Sequence, residues 1–472
     1  MSKPFMDRIL GVTVLADFIL SEGVVPIVEN LVRIGATAVA CNPTVTARAP
    51  QGTGTFQPPD DARSSPRQFD RTLFGKRSLW VQSAPSYQPN PRFYKSSPYG
   101  PRTVKELTRR HGDVIDRFIE ACRSAGLKVY FQLGAVQPSG LRDEDRPCQV
   151  DGSVAAVRMA DTGSLASPAI RAYNRAYVRD ILARYPDLDG FRIDWPEYPC
   201  YTMAEALHDF SPHVRRWLKE RGLDDQSLVT GMSRFYRRLT GRLSNDQLTA
   251  TRTMSIPEAL QALADRDAPA VQHWLESKAA LSTDIVADWR SVLNDAGRPD
   301  LELTAHAFMP PYASITGLDF SKVAAHCDSV SPKFYTMHWP LMVQFWSDWL
   351  LEHNPDLNRD STIQTVASWM ELGTPEEIEG RLDRFRYPQP DEPHPISIAT
   401  QRRKLQDVRD QMKATRTTLV PLVHGYGPLD DFATRFAAIA RADVDGVWIN
   451  RYGYLSDEKL DAIASVMRSE PS

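Results

Sequence analysis

Residues 188–199 read Leu-Asp-Gly-Phe-Arg-Ile-Asp-Trp-Pro-Glu-Tyr-Pro, a short strand that ends in carboxylates and then breaks. Alternation sends Phe191, Ile193 and Trp195 to one face, and Arg192 and Asp194 to the other. Unpaired charges are costly in a buried strand, so Arg192 and Asp194 are expected to pair with each other or to serve a site. Pro196 and Pro199 stop the strand and leave Asp194 and Glu197 at its C-terminal mouth. Two carboxylates near a glycosidic oxygen are the minimum apparatus for glycoside hydrolysis. One donates a proton, and the other attacks or stabilises an oxocarbenium-like state. Asp194, kept ionised by Arg192, suits the second role. Glu197, in an aromatic turn that would raise its pKa, suits the first. Asp17 is the rival second carboxylate, its purely structural role being a cap on the helix that starts near Ser21.

Those residues need a scaffold that brings strand ends together. Strands are expected at 9–16, 36–41, 127–133, 188–195, 301–308, 327–335, 417–423 and 445–450, separated by segments of helical periodicity. Eight strands alternating with helices fit a (β/α)8 barrel, in which strand ends converge on one face. A doubly wound open sheet would need a Gly-rich turn after the first strand, and Asp17-Phe-Ile-Leu-Ser is not one. The chain reads as a single barrel domain, residues 1–472, with three long insertions. Residues 44–102, rich in Pro, Gly and aromatics, read as a lid loop; residues 224–298 and 338–414 read as helical insertions.

On a barrel the strand ends gather Asn42, Gln132, Asp194, His306, Lys333, Tyr335, His424, Asn450 and Arg451 at one mouth. Any one of them has a structural explanation. Together, carboxylates, amides, imidazoles and aromatics are what a sugar site requires. Trp80 in the lid is the stacking candidate, Trp195 being equally well placed in a core. Trp346 and Trp349, three apart, read as a helix-packing stripe.

Composition narrows the partners. Of 472 residues, 42% are hydrophobic and 24% charged, with a net charge of −3, so nothing favours nucleic acid. Five scattered cysteines without CxxC spacing argue for reduced thiols over a disulfide frame or zinc site. No apolar run approaches the roughly 18 residues of a membrane span, and the N-terminus has no signal-peptide pattern. The expectation is a cytoplasmic protein with a carbohydrate substrate, no cofactor and no metal. Oligomeric state is open, a homodimer included.

Two resemblances sharpen this. Residues 167–199 resemble bacterial glycosyl-hydrolase-like barrels, in which a D-G-x-x-x-D-x-x-x-Y-P pattern sets an Asp at the end of strand four. Residues 328–335, Asp-Ser-Val-Ser-Pro-Lys-Phe-Tyr, are similar to the strand-six run of those barrels, with Lys333 replacing an apolar residue. The resemblance implies a glycosidase. Gly190-Phe-Arg-Ile-Asp194 also resembles the strand-four motif of the α-amylase superfamily, which implies Asp194 as nucleophile with Arg192 beside it. That family's acid, a Glu ending strand five, has no counterpart here, since strand five ends at His306-Ala-Phe-Met. Two other readings remain open. One is a metal-dependent sugar isomerase or hydrolase using His306, His424, Asp17 and Asp194, although no H-x-x-x-H or comparable ligand spacing supports it. The other is a non-catalytic carbohydrate-binding barrel.

Overall fold

A computed structural model describes residues 8–59 and 67–468. Eight parallel strands close into a barrel: β1 (Ile9–Thr13), β2 (Ala38–Cys41), β3 (Lys128–Gly134), β4 (Gly190–Asp194), β5 (Glu302–Ala307), β6 (Ser329–Phe334), β7 (Leu422–His424) and β8 (Gly446–Asn450). Each pairs with the next, and β8 pairs with β1 through Ile9↔Gly446 to Thr13↔Asn450, so no edge is left open. The seventh strand is interrupted. Thr418–Leu419 pairs with β6, and Pro421, which has no N–H to donate, separates it from β7.

Two apolar regions result from the period-2 alternation. Outward residues such as Val12, Val39, Phe131, Phe191 and Ile193 join the helices in the large core. A small second core, with Ala38, Ala40, Tyr130, Leu422 and Trp448, fills the barrel itself. Trp448 is the plug of that interior, and Gly11 opposite it in register has no side chain. A Cβ on Gly11 would overlap the indole ring. On β4, Gly190 plays a similar part, because a Cβ there would run into the Glu302 carbonyl.

The insertions are more ordered than their composition suggested. Within 44–102 lies a three-stranded antiparallel sheet, Thr44–Arg48, Leu79–Pro85 and Thr55–Gln57, in place of an irregular loop. The tyrosines that follow this sheet are anchored on two carboxylates: Tyr87 and Tyr94 donate to Asp180 on the helix Pro168–Arg184 at 2.9 and 3.1 Å, and Tyr99 to Asp145 in the loop after β3 at 2.6 Å. Residues 224–298 form helices ending in the 28-residue Ala268–Asp295, whose Trp289 packs against Phe191. Between 338 and 414 the long helices are His338–His353, Arg359–Trp369 and Ile398–Met412. Among the described residues, no helix is long and apolar enough to cross a membrane.

The Gly11–Trp448 fit gives a direct test. Gly11→Ala should destabilise the chain by about 1–3 kcal/mol through overpacking, read by urea unfolding. Combined with Trp448→Leu it should cost less than the sum of the two single changes. Strict additivity would show that the indole does not constrain this position.

Candidate active site

Asp194 ends β4 with its side chain directed into the mouth, and 22% of that side chain is exposed. The contacts gather on one oxygen. Oδ1 lies 2.7 Å from Lys333 Nζ at the end of β6, accepts the Trp195 backbone N–H at 3.0 Å, and stands 3.4 Å from His306 Nδ1 on β5. No described donor reaches Oδ2, so it faces the open side. Burial alone would raise the pKa of Asp194, but the Lys333 ammonium and His306 hold it well below the usual carboxylate range. His306 is fully buried, and burial together with the Arg192 charge brings it down to about 4, so it is neutral at pH 7.

The partner of Asp194 is therefore Lys333, correcting the expected pairing with Arg192. Arg192 lies deeper in the barrel. Its guanidinium stacks 3.7 Å from the Trp448 ring centroid and donates through Nη2 to Ser331 Oγ at 3.1 Å, while Nε and Nη1 have no hydrogen-bond partner. Trp195 also departs from the strand alternation. At φ +59° its backbone leaves the extended region and turns the ring to the mouth side. There it lies 4.1 Å from Lys333 Nζ and packs on Tyr201 and Phe308.

Glu197 is not at the open mouth, a second correction. It is fully buried, with Oε1 accepting the Phe308 N–H and Oε2 the Thr316 hydroxyl, each at 2.6 Å. Burial pushes its carboxyl up to about 7, against the lowering effect of Lys333 and of these hydrogen bonds. It ties the turn after β4 to the segment after β5. Asp17, 7% exposed, sits in the first turn of the helix Ala16–Ser21, and burial raises its pKa against the pull of Thr46 and Arg451. Ser21 ends that helix; it does not cap the next one.

The remaining strand-end residues divide between two walls. On one side, Asn42 donates to the Gln132 carbonyl at 3.0 Å, and both line a 320 Å³ cavity. On the other, His424 accepts the Tyr426 N–H on Nδ1 and is wedged edge-on between aromatic rings, with Tyr335 5.0 Å away between centroids. Asn450 is buried at the end of β8, and Arg451 follows it with Nε buried and without a hydrogen-bond partner. Trp80 lies in the antiparallel sheet, edge-on to Phe56, and makes its ring contact there.

Sequence reasoning missed much of the surrounding wall. Tyr201 meets His338 Nδ1 at 2.8 Å, and His338 also packs on Tyr335 and Tyr387. These residues come from the long connections after β4 and β6, where no local pattern marks them. Tyr173 and Tyr177, which line the cavity, were more legible: their i,i+4 spacing on the helix Pro168–Arg184 places both on one face, and their rings stack 5.4 Å apart.

No family model and no curated protein matches the chain. Its fold is similar to that of a β-galactosidase from the psychrophilic Marinomonas ef1, with TM-score 0.51 and 13% identity over 98% of this chain and 59% of that one. It is also similar to a β-galactosidase from the Antarctic haloarchaeon Halorubrum lacusprofundi, with TM-score 0.50 and 12% identity over 97% and 57% of the two chains. The chain thus spans under two thirds of the length of both enzymes. At these identities the likeness concerns the fold, a (β/α)8 barrel.

Glu197 offers a test of its structural role. An unfolded carboxyl titrates near 4.5, so between there and about 7 the folded chain holds a proton that the unfolded chain has released. The resulting stabilisation is full below 4.5 and is lost as pH rises through 7. Glu197→Gln should lower the melting temperature, and the stability difference between wild type and variant should shrink as pH rises across that window. A pH-independent difference would contradict the raised pKa.

Proposed function

We propose that the chain is a glycoside hydrolase acting on a glycoside or oligosaccharide at this mouth. The observation that carries the proposal is Asp194: a carboxylate at the end of β4, held ionised by a buried ammonium, with Oδ2 open and aromatic rings beside it. An ionised carboxylate of this kind suits attack on, or stabilisation of, an oxocarbenium-like centre. Aromatic faces and amides suit a hydroxylated ring. The two β-galactosidases of similar fold support the same class of reaction.

A proton donor must stay protonated near neutral pH and reach the leaving oxygen. Glu197 meets the first condition and fails the second, because both its oxygens are enclosed. Asp17, in the first turn of the helix that follows β1, has its carboxyl raised by burial and is the donor we assign. The metal-dependent alternative has less support, since the Lys333 ammonium already sits on Asp194 Oδ1, where a cation would bind. Among the described residues no three His, Cys, Asp or Glu side chains converge as ligands.

Asp194→Asn should reduce kcat on a chromogenic glycoside by on the order of 10³-fold or more with little change in melting temperature. Asp17→Asn should reduce it as well, with the loss smallest for substrates carrying good leaving groups. Lys333→Met should move the acid limb of kcat/KM to higher pH, because without the ammonium the burial of Asp194 raises its pKa. An Asp194→Asn protein with undiminished turnover would overturn the assignment.

A further inference from the structure

The 320 Å³ cavity adjoins the proposed catalytic carboxylate. Gly134, in its lining, pairs in register with Asp194, and the Ala135 N–H donates to the Asp194 carbonyl at 2.7 Å. The size is at the small end of ligand pockets, about that of a site for one ring. Its polar lining is unusual in charge: Asn42, Gln132, Gln137, Thr44 and Tyr177 are neutral, and Arg102 alone is charged. Arg102 Nη1 donates to Thr44 Oγ1 at 3.0 Å, and the guanidinium charge acts on the nearby Tyr177 phenol. No described carboxylate pairs with it. A guanidinium has five N–H groups, and neutral oxygens use only part of them. Burial raises the Tyr177 phenol above its ordinary value, so its O–H remains a donor.

The rest of the mouth has the same imbalance. Among the described residues Arg192 forms no ion pair and Arg451, near Asp17, leaves its buried Nε without a hydrogen-bond partner, while Lys333 is balanced by Asp194. A low-dielectric opening with an excess of cations attracts and retains anions. A guanidinium fixed by neutral groups, with donors to spare, is the geometry that recognises a carboxylate. The surrounding amides and hydroxyls match ring hydroxyls, and the stacked Tyr173 and Tyr177 supply an apolar wall.

We propose that this cavity is a subsite for an anionic sugar, a hexuronate whose carboxylate is held by Arg102, beside the bond that Asp194 acts on. This rests on the glycosidase reading for the position of the bond, but not for the binding of the uronate.

The test has two arms. In the first, kcat/KM is compared for 4-nitrophenyl glucuronides and galacturonides against the matched glucosides and galactosides, both anomers. The anionic member should be preferred by about 10-fold or more, as expected for a charge-assisted contact, and the preference should fall with added salt. Arg102→Met should bring the ratio towards one, and Arg102→Lys should retain part of it. In the second, D-glucuronate, D-galacturonate, D-glucose, D-galactose and D-glucose 6-sulfate are titrated calorimetrically into the Asp194→Asn protein. Uronate binding lost in Arg102→Met, without hydrolysis of any glycoside, would uphold the subsite and reject the glycosidase reading. Hydrolysis of neutral glycosides without uronate preference or binding would reject the subsite alone. Tighter binding of the 6-sulfate than of glucuronate would overturn the carboxylate assignment. Should Arg102→Met fail to fold, Gln137→Leu, which removes a neighbouring donor, should lower uronate affinity; unchanged affinity there would count against the site.

Discussion

At the mouth of the barrel an ammonium and a carboxylate, Lys333 and Asp194, lie 2.7 Å apart with the lysine 97% removed from solvent, its side chain 3% exposed. Removing two charges from water is expensive, and one left without the other costs a few kcal/mol. Most of the surrounding architecture follows from that constraint. The Trp195 and Phe308 rings cover the ammonium. His306, kept neutral by burial, stands beside Asp194 without adding a third charge. Glu197, near the same lysine, is shifted towards its neutral form and hydrogen-bonded to the chain after β5. The site thus holds one firmly ionised carboxylate with one oxygen committed and one open.

Below the mouth, the barrel interior carries a second cation. Arg192 is buried on the Trp448 ring, its charge met by the π-face and by Ser331 in place of a carboxylate. Gly11 is bare because the indole occupies that space. Lys333 and Arg192 thus both stand near Asp194, the carboxylate that the lysine holds ionised. Arg102 lines the neighbouring cavity, and Arg451 follows β8 near Asp17. These cations belong to a chain whose overall charge is −3, so their gathering is a matter of placement and not of composition.

The insertions act as walls more than as lids. The segment after β2 reads as a lid rich in aromatics, yet its Tyr87, Tyr94 and Tyr99 face the buried carboxylates Asp180 and Asp145. Their hydroxyls help to satisfy these carboxylates, Asp180 together with the Asn90 N–H and Asp145 together with Arg142 and Ser167. The aromatic residues that do border the mouth, Tyr201, His338 and Tyr335, come from the connections after β4 and from the end of β6.

The sequence alone was enough to establish the barrel and the order of its strands, because apolar alternation and helical periodicity are local signals that repeat eight times. It also singled out Asp194, Lys333 and His306, since each is a polar residue at the end of an apolar strand. It could not assign their partners. Arg192 is two residues from Asp194 and shares its face, but one pleat of depth separates the barrel layers, and Lys333, 139 residues away in sequence, reaches the carboxylate instead. Glu197 was placed at the open mouth because prolines end the strand there; its enclosure depends on Phe308 and Thr316, which follow β5. Arg102 carried no local mark of its place in the cavity, whereas the i,i+4 spacing of Tyr173 and Tyr177 on one helix face was legible. Periodicity fixes which face a residue takes, whereas depth, burial and the identity of a charge's partner depend on chain segments that meet only when the barrel closes.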